Sequence, residues 1–224
     1  MTAADWSAVR LTAALAALST LLLLLLGTPL AWWLARTPSR LKPLWSALVA
    51  MPLVLPPSVL GFYLLLIFSP NNWFGGALQH GLGIQLAFSF PGLIVASVIF
   101  SLTFMVHPIQ AGFQSLPPAL REAAYVLGKP RWETLLRVQL PNMKPSLLSG
   151  TVLAFAHTIG EFGVVLMIGG DLPGETRVAS IAIYNEVEAL NYSAANLYAG
   201  ALFAISFAIL LIVYVLNKKL LSTV

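Results

Sequence analysis

The sequence contains no cysteine, and charged residues make up only 9% of its 224 residues. The absence of cysteine excludes disulfide bonds, thiolate nucleophiles and zinc–thiolate sites. Scarce charge, 58% hydrophobic residues and a mean hydropathy of +0.86 exclude an ordinary soluble domain of this length. No basic run with interleaved aromatic residues occurs, so the net charge of +4 does not indicate nucleic-acid binding. The composition therefore indicates an integral membrane protein.

Long segments without charge predict the membrane spans, because a helix needs about 20 apolar residues to cross the hydrocarbon core. Nothing between Lys42 and Arg121 is charged, and SPNNWFGGALQHGLG at 69–83 divides this stretch as a loop rich in Pro, Asn and Gly. We predict an all-α membrane protein, with residues 1–224 forming a single membrane domain. Its five spans are expected at about 11–35, 46–68, 91–113, 146–170 and 195–217.

The first apolar segment has an alternative interpretation as a secretory signal peptide. LLLLLLGTPLA has an apolar core followed by small residues, as such peptides do. The uncharged stretch between Arg10 and Arg36 is longer than a typical signal core, and Trp32 and Trp33 are typical of an interfacial anchor. These features favour a membrane span.

Basic residues predict the orientation, because in short loops they remain on the cytoplasmic side. With the N-terminus outside, ten basic residues, including Lys218 and Lys219, lie inside, and only Arg10 and Arg177 lie outside. TRVASIAIYNEVEAL at 176–190 is too short and too charged for a sixth span. We therefore predict a re-entrant or interfacial helix there on the outer side, and a cytoplasmic C-terminus.

The segment 121–144, REAAYVLGKPRWETLLRVQLPNMK, holds seven of the twenty charged residues. Pro117 and Pro118 suit the first turn of a helix, and Gly128 suits a left-handed helix end. The pattern predicts a cytoplasmic loop at 115–144 with two short helices, the second ended by Pro141. The alternative is a loop that only lies at the lipid headgroups.

The first predicted loop helix has an apolar face at helical spacing, and we expect this face to be buried against another surface. This face consists of Leu120, Ala123, Ala124 and Leu127. The second helix has four residues along one side: Trp132, Leu135, Leu136 and Gln139.

The order Glu122-Ala123-Ala124, three residues, Gly128, nine residues, Val138-Gln139-Leu140-Pro141 resembles the EAA motif of permease subunits in ATP-binding-cassette (ABC) importers. The family usually has Ile at the position of Val138. The resemblance implies the type I ABC importer permease fold, with a coupling helix that docks on a separate ATPase. The ATPase-coupling residues would be Glu122, Ala123, Ala124, Gly128, Leu140 and Pro141. No GxxxxGK[ST] motif occurs, so ATP and magnesium are expected on the partner ATPase, and no cofactor on this chain.

Three further segments resemble the molybdate permease subunits of these importers: MPLVLPPSVLGFYLLL (51–66), LAFSFPGLIVASVIFSLTFMV (86–106) and GEFGVVLMIGGDLPGETR (160–177). Thr103 departs from the family, where Pro is expected. The resemblance implies import of molybdate, and also tungstate, by a homodimer in the bacterial inner membrane. Two ATPase copies and a soluble molybdate-binding protein would be its partners.

Three alternatives to a molybdate permease remain. A sulfate or thiosulfate ABC permease shares the Gly-Glu-aromatic-Gly element at 160–163. An intramembrane enzyme requires paired titratable groups within the spans, whereas only Glu161 is an ionisable acid there. A passive channel does not need an EAA loop.

Two sets of residues are candidates for the translocation path. Glu161 lies within a span, where charge is costly and functional by default, so with Gly160 and Gly163 we predict an outer gate. The structural alternative is a carboxylate that caps a helix or pairs with Arg177 or His157. The second span contains residues that break regular helix structure, Pro56, Pro57 and Gly61. These breaks either line the path or kink a helix that only packs in the bundle.

Overall fold

The computed structural model describes residues 3–221, and within this range the regular secondary structure is helical. The side chains of Lys218 and Lys219, which contribute to the predicted orientation, lie outside the described part. The helices are α1 (Ala3–Arg36), α2 (Lys42–Val54), α3 (Pro57–Phe68), α4 (Trp73–Leu82), α5 (Phe90–Ser115), α6 (Pro118–Val126), α7 (Arg131–Thr134), a π-helical turn (Leu135–Gln139), α8 (Leu140–Asn142), α9 (Lys144–Ile159), α10 (Gly163–Gly169), α11 (Ala179–Glu188) and α12 (Tyr192–Leu221).

Three helices, α1, α5 and α12, are long and apolar enough to cross a membrane unbroken. Two further crossings are each made by a bent pair of helices. The axes of α2 and α3 differ by 112°, and those of α9 and α10 by 60°. Counted with each bent pair as one span, the described residues contain the five predicted crossings.

Two buried clusters show that the bent pairs run from one side of the bundle to the other. The first cluster joins Leu15 of α1, Phe68 of α3 and Ile168 of α10. The second joins Leu34 of α1 and Val49 of α2, together with residues of α5 and α9. Since α1 and α5 contribute to both clusters, each bent pair begins at the second cluster and ends at the first. Following the predicted orientation, we call the second cluster the inner cluster and the first the outer cluster.

The segment 69–83 was predicted as a loop, and this prediction was incomplete, because it contains α4. Asn72 caps the helix by accepting a hydrogen bond from the Phe74 N–H at 3.1 Å. Gly75 is required for close packing, since a Cβ there would lie 2.3 Å from the Ser69 carbonyl oxygen. Gly75 therefore serves helix packing, and Gly83 ends α4 with φ +67°.

The short helix expected within 176–190 is present as α11 and packs on the outer part of the bundle. Its first residue, Ala179, donates its backbone N–H to Thr12 Oγ1 at 2.8 Å. Ala182 of α11 packs with Ala8 of α1 and Tyr198 of α12 in a third small cluster. The helix thus holds together the ends of two spans.

Candidate functional site

The charged loop begins with α6, which ends in a left-handed turn at Gly128. The φ angle of Gly128 is +73°. Its N–H donates to the Tyr125 carbonyl at 2.9 Å, and the Lys129 N–H donates to the Ala124 carbonyl at 3.0 Å. These two bonds form a complete Schellman motif, in which glycine is favoured because it has no Cβ. The glycine turn predicted from the sequence is therefore present.

The second half of the loop differs from the prediction of one α-helix ended by Pro141. Here α7 passes into a π-helical turn, in which the Leu140 N–H bonds to the Leu135 carbonyl, and the chain stays helical to Asn142. A proline ring normally clashes with the carbonyl four residues earlier. The wider π turn provides the space for Pro141, and such turns are frequent at functional sites.

The apolar face predicted for the first loop helix and the side predicted for the second helix are only partly buried within the chain. Of the first face, only Ala124 is buried, and of the second side, only Leu135 and Gln139 are. The other large apolar side chains form an exposed surface, which we call the loop surface: Val126 (88% exposed), Leu127 (76%), Trp132 (62%) and Leu136 (55%). Large exposed apolar side chains concentrated in one short loop indicate a binding surface.

The predicted coupling residues differ in how exposed they are. Glu122, Ala123 and Pro141 are exposed, and Leu140 is half-buried. Buried Ala124 is positioned to pack α6 against its own chain rather than to contact a partner.

Charges beside the loop surface pair with one another. Glu133 accepts a hydrogen bond from Lys129 Nζ at 2.8 Å, and Arg137 lies 3.1 Å away on its other side. The hydrogen bond from Lys129 holds the pKa of Glu133 below its ordinary value. Glu133 therefore remains ionised near neutral pH, and these three charges stabilise the second half of the loop.

The second candidate site lies where the breaks of the two bent spans meet. The helices α3 and α10 pack directly, because a Cβ at Gly163 would lie 2.8 Å from Pro57 Cβ. A Cβ at Gly61 would lie 2.8 Å from Met167 Cβ. These two glycines thus permit a contact that any larger residue would open, while Pro56 precedes the start of α3. The structure brings together residues that the sequence predicted separately.

Glu161 occupies the break between α9 and α10 and is only 7% exposed. Its carboxylate accepts a hydrogen bond from the Val164 N–H at 2.8 Å, and its backbone carbonyl accepts one from Ser180 Oγ at 2.7 Å. The carboxylate therefore caps the first turn of α10, as the structural alternative predicted. A role of Glu161 in a gate stays a prediction.

The residues proposed as structural partners of Glu161 have other contacts. Arg177 forms an ion pair with Asp171, with 3.1 Å between Nη2 and Oδ2, and Asn185 donates to the same carboxylate at 2.7 Å. His157 Nδ1 lies 2.9 Å from Ser101 Oγ, and its ring stacks on Phe104 with 4.0 Å between centroids.

The polar contact between α5 and α9 was missed in the sequence. Ser101 Oγ also lies 3.0 Å from Thr158 Oγ1. Placing Ser101 beside His157 required knowledge that α5 faces α9, and the only local signal was the adjacent pair of polar residues at 157 and 158.

Comparison with known proteins gives a family match over most of the chain. The family model described as binding-protein-dependent transport system inner membrane component matches residues 27–222. The molybdenum transport system permease protein ModB of Azotobacter vinelandii is 49% identical over 94% of this chain and 93% of its own length. A probable sulfate transport system permease protein of Zygnema circumcarinatum is 36% identical over 95% of this chain and 74% of its own length.

Solved structures share the fold at low sequence identity. A bacterial ABC transporter involved in the import of the acidic polysaccharide alginate matches with a TM-score of 0.81 at 20% identity. The match covers 98% of this chain and 80% of the alginate transporter chain. A second structure holds the alginate transporter in complex with a pentasaccharide-bound periplasmic protein, and it matches with a TM-score of 0.80. These structures place the helices described above in the ABC importer permease fold.

Proposed function

Because this chain belongs to the family of binding-protein-dependent transport system inner membrane components, we propose that it is the permease subunit of an ATP-driven molybdate importer. The observation that carries the cargo assignment is the 49% identity to ModB over 94% of the chain. The permease forms the path for the anion and is not itself an enzyme. A separate ATPase subunit hydrolyses ATP, and a soluble protein delivers molybdate.

The loop surface is the proposed docking site for the ATPase. Its exposed side chains, Val126, Leu127, Trp132 and Leu136, provide an apolar contact, and Glu122 provides a charge beside it. The Schellman turn at Gly128 fixes α6 relative to α7. A displacement of this surface therefore moves α6 and α7 together as a rigid unit. Such rigid-body movement is required for coupling ATP hydrolysis to transport.

The charge distribution supports the orientation with the loop in the cytoplasm. Arg121, Lys129 and Arg137 belong to the loop, and Arg36 ends α1 at the same inner cluster. Outside, Arg177 is paired with Asp171, so the outer side carries little free positive charge. By the positive-inside rule, the inner cluster faces the cytoplasm of a bacterial cell membrane.

We place the translocation path at the interface of a homodimer, where two copies each contribute a bent α3–α10 pair. The ATPase pair closes on ATP, draws the two loop surfaces together and turns the permease halves to face outward. Hydrolysis then returns them to the inward-facing arrangement. This alternating access requires rigid helices joined by breaks, and the bends at 55–56 and 160–162 provide such breaks.

The proposal is tested by uptake into liposomes that contain the permease and its ATPase. Binding protein loaded with molybdate, tungstate or sulfate is added outside, and ATP is enclosed. We expect uptake and stimulated ATP hydrolysis with molybdate and tungstate. Stimulation by sulfate alone would support the second candidate, a sulfate permease, which the 36% identity to such a protein favours. No stimulation by any of these anions would refute both.

A further inference from the structure

A small cavity lies at the inner end of the bundle, between the ends of α1 and α5 and the start of the charged loop. Its volume is about 250 Å³. Four polar side chains line it, and none of the lining residues is Asp or Glu: Arg36, Gln114, Arg121 and Gln139. We call this the inner cavity. Its polar lining therefore consists of cations and amides, which can donate hydrogen bonds to an anion.

Gln139 is the strongest indication that a ligand belongs in this cavity. Its side chain is only 1% exposed, and its Oε1 accepts a hydrogen bond from Arg36 Nη2. Its Nε2 has no hydrogen-bond partner in the described part of the chain. A buried donor without a partner costs about 1–3 kcal/mol, so such groups are usually satisfied by water or a ligand. The amide is held in this position by the π-helical turn.

Arg36 and Arg121 carry unneutralised charge into the same space. They are close enough to repel each other, and neither forms an ion pair with a described carboxylate. The guanidinium of Arg36 is held 5.1 Å above the ring of Trp32 and 5.9 Å from that of Phe113. Two cations fixed side by side are stabilised when an anion binds between them.

Helix ends near the cavity partly oppose this charge. The C-terminal ends of α1 and α5 each contribute about half a negative charge, and the N-terminal end of α6 contributes about half a positive charge. The two arginines contribute two full positive charges. The sum remains positive, at about 1.5 charges, so the field in the cavity favours an anion.

We propose that the inner cavity binds one free tetrahedral oxyanion dianion, with Arg36, Arg121 and the Gln139 amide as donors. The assignment rests on the proposed function, since molybdate is such an anion. About 250 Å³ corresponds to about eight water volumes, which is ample for five heavy atoms and some water. Arginine forks match the acceptor geometry of such oxyanions.

Two neighbouring places are less suitable for the anion. A cavity of about 550 Å³ on the other side of Arg36 is also lined by Glu122, whose carboxylate repels anions. The N-terminus of α10 lies at the broken span, but the Glu161 carboxylate already occupies its first turn. The inner cavity combines the unpartnered Gln139 donor with the absence of a lining acid.

The test is equilibrium binding of radiolabelled molybdate to the complex of permease and ATPase in phosphatidylcholine nanodiscs, without binding protein. We expect saturable binding whose affinity falls about tenfold in Arg121→Gln, because one charged fork is lost. Gln139→Glu, which keeps the shape but adds a negative charge, should weaken binding at least as much. Arg40→Gln is the matched control, since it removes one exposed positive charge at the same end of the bundle that does not line the cavity, and binding should be unchanged.

Several outcomes would overturn the inference, and one would support it while refuting the cargo. Binding that is absent, or that is equal in wild type and Arg121→Gln, would show that the cavity holds no oxyanion. Phosphatidylglycerol that is retained by wild type and lost from Arg121→Gln, without molybdate binding, would assign the cavity to a lipid headgroup. If molybdate uptake occurs but Arg121-dependent binding does not, this inference fails while the proposed function stands. Arg121-dependent binding of molybdate and sulfate, together with uptake of sulfate alone, would support the cavity and refute the cargo.

Discussion

Replacing Gly128 by alanine should uncouple ATP hydrolysis from transport. Gly128 has a φ of +73°, which an L-residue adopts only with strain. A Cβ added there meets nothing within 4 Å, so the substitution causes no steric clash with the rest of the chain. Its whole cost is therefore conformational.

The expected cost is about 1–2 kcal/mol, the penalty for placing an ordinary L-residue in the left-handed region. A penalty of this size lowers the population of the native turn about 5- to 30-fold relative to other turn conformations. When the turn opens, the bond from the Lys129 N–H to the Ala124 carbonyl is lost. Val126 and Leu127 then no longer share a surface with Trp132, and the ATPase loses its docking site.

The assay is ATP hydrolysis by the reconstituted complex with and without loaded binding protein. Gly83→Ala is the matched control, because Gly83 also follows a helix, has a φ of +67° and has open space around it. It lies at the end of α4, away from the loop surface. We expect stimulation to fall in Gly128→Ala, by at most the about 5- to 30-fold change in the turn equilibrium, and to persist in Gly83→Ala. Gly128→Asn should be intermediate, because Asn tolerates the left-handed region.

Full stimulation in Gly128→Ala would refute the reasoning, because the turn would then not determine docking. An equal loss in Gly83→Ala would also refute it, since that loss would show a general loss of stability. Co-purification of the ATPase with each variant separates failed docking from failed coupling after docking.

Four further substitutions test the broken spans and their packing. Gly163→Ala should lower thermal stability by about 1–3 kcal/mol, because its Cβ would lie 2.8 Å from Pro57, whereas Gly160→Ala has space and should be stable in the same melting experiment. Glu161→Gln keeps an oxygen that can cap α10, so we expect retained stability but reduced molybdate uptake; unchanged uptake would contradict a gate. Thr103→Val removes a hydroxyl bond to the backbone of α2 and should cost about 1 kcal/mol in thermal unfolding without changing the cargo.

Most of the crossings were predictable from the sequence because they depend on local composition. The long helices α1, α5 and α12 coincide with long uncharged segments. Predicting them did not require knowing which helices pack against them in space. The helix α4 could not be predicted, because Gly75 is explained by the Ser69 carbonyl that packs against it in space. Pro141 was misinterpreted for a similar reason, since a π-helical turn that accepts a proline has no clear sequence signal.

The candidate sites were predictable as sets of residues but not as arrangements. The motif at 122–128 identified the loop, whereas the split between buried Ala124 and exposed Leu127 depends on how α6 packs. The two glycine-containing breaks were also predicted, but as separate candidates for the translocation path. Their contact through Gly61 and Gly163 joins residues about 100 positions apart, and periodicity within one helix contains no such information.

The same contact suggests how motion at the loop reaches the outer side. From α8 the chain enters α9 after Met143 alone, so a displacement of the loop moves α9 directly. At 160–162 the chain bends by 60°, and a Cβ at Gly160 would meet only backbone carbonyls, at 3.7 and 3.9 Å, so no side chain blocks a change of angle at Gly160. Beyond the break, α10 cannot move alone because it is packed on α3 at Gly163. A change at Gly160 must therefore shift both outer half-helices together, as alternating access requires.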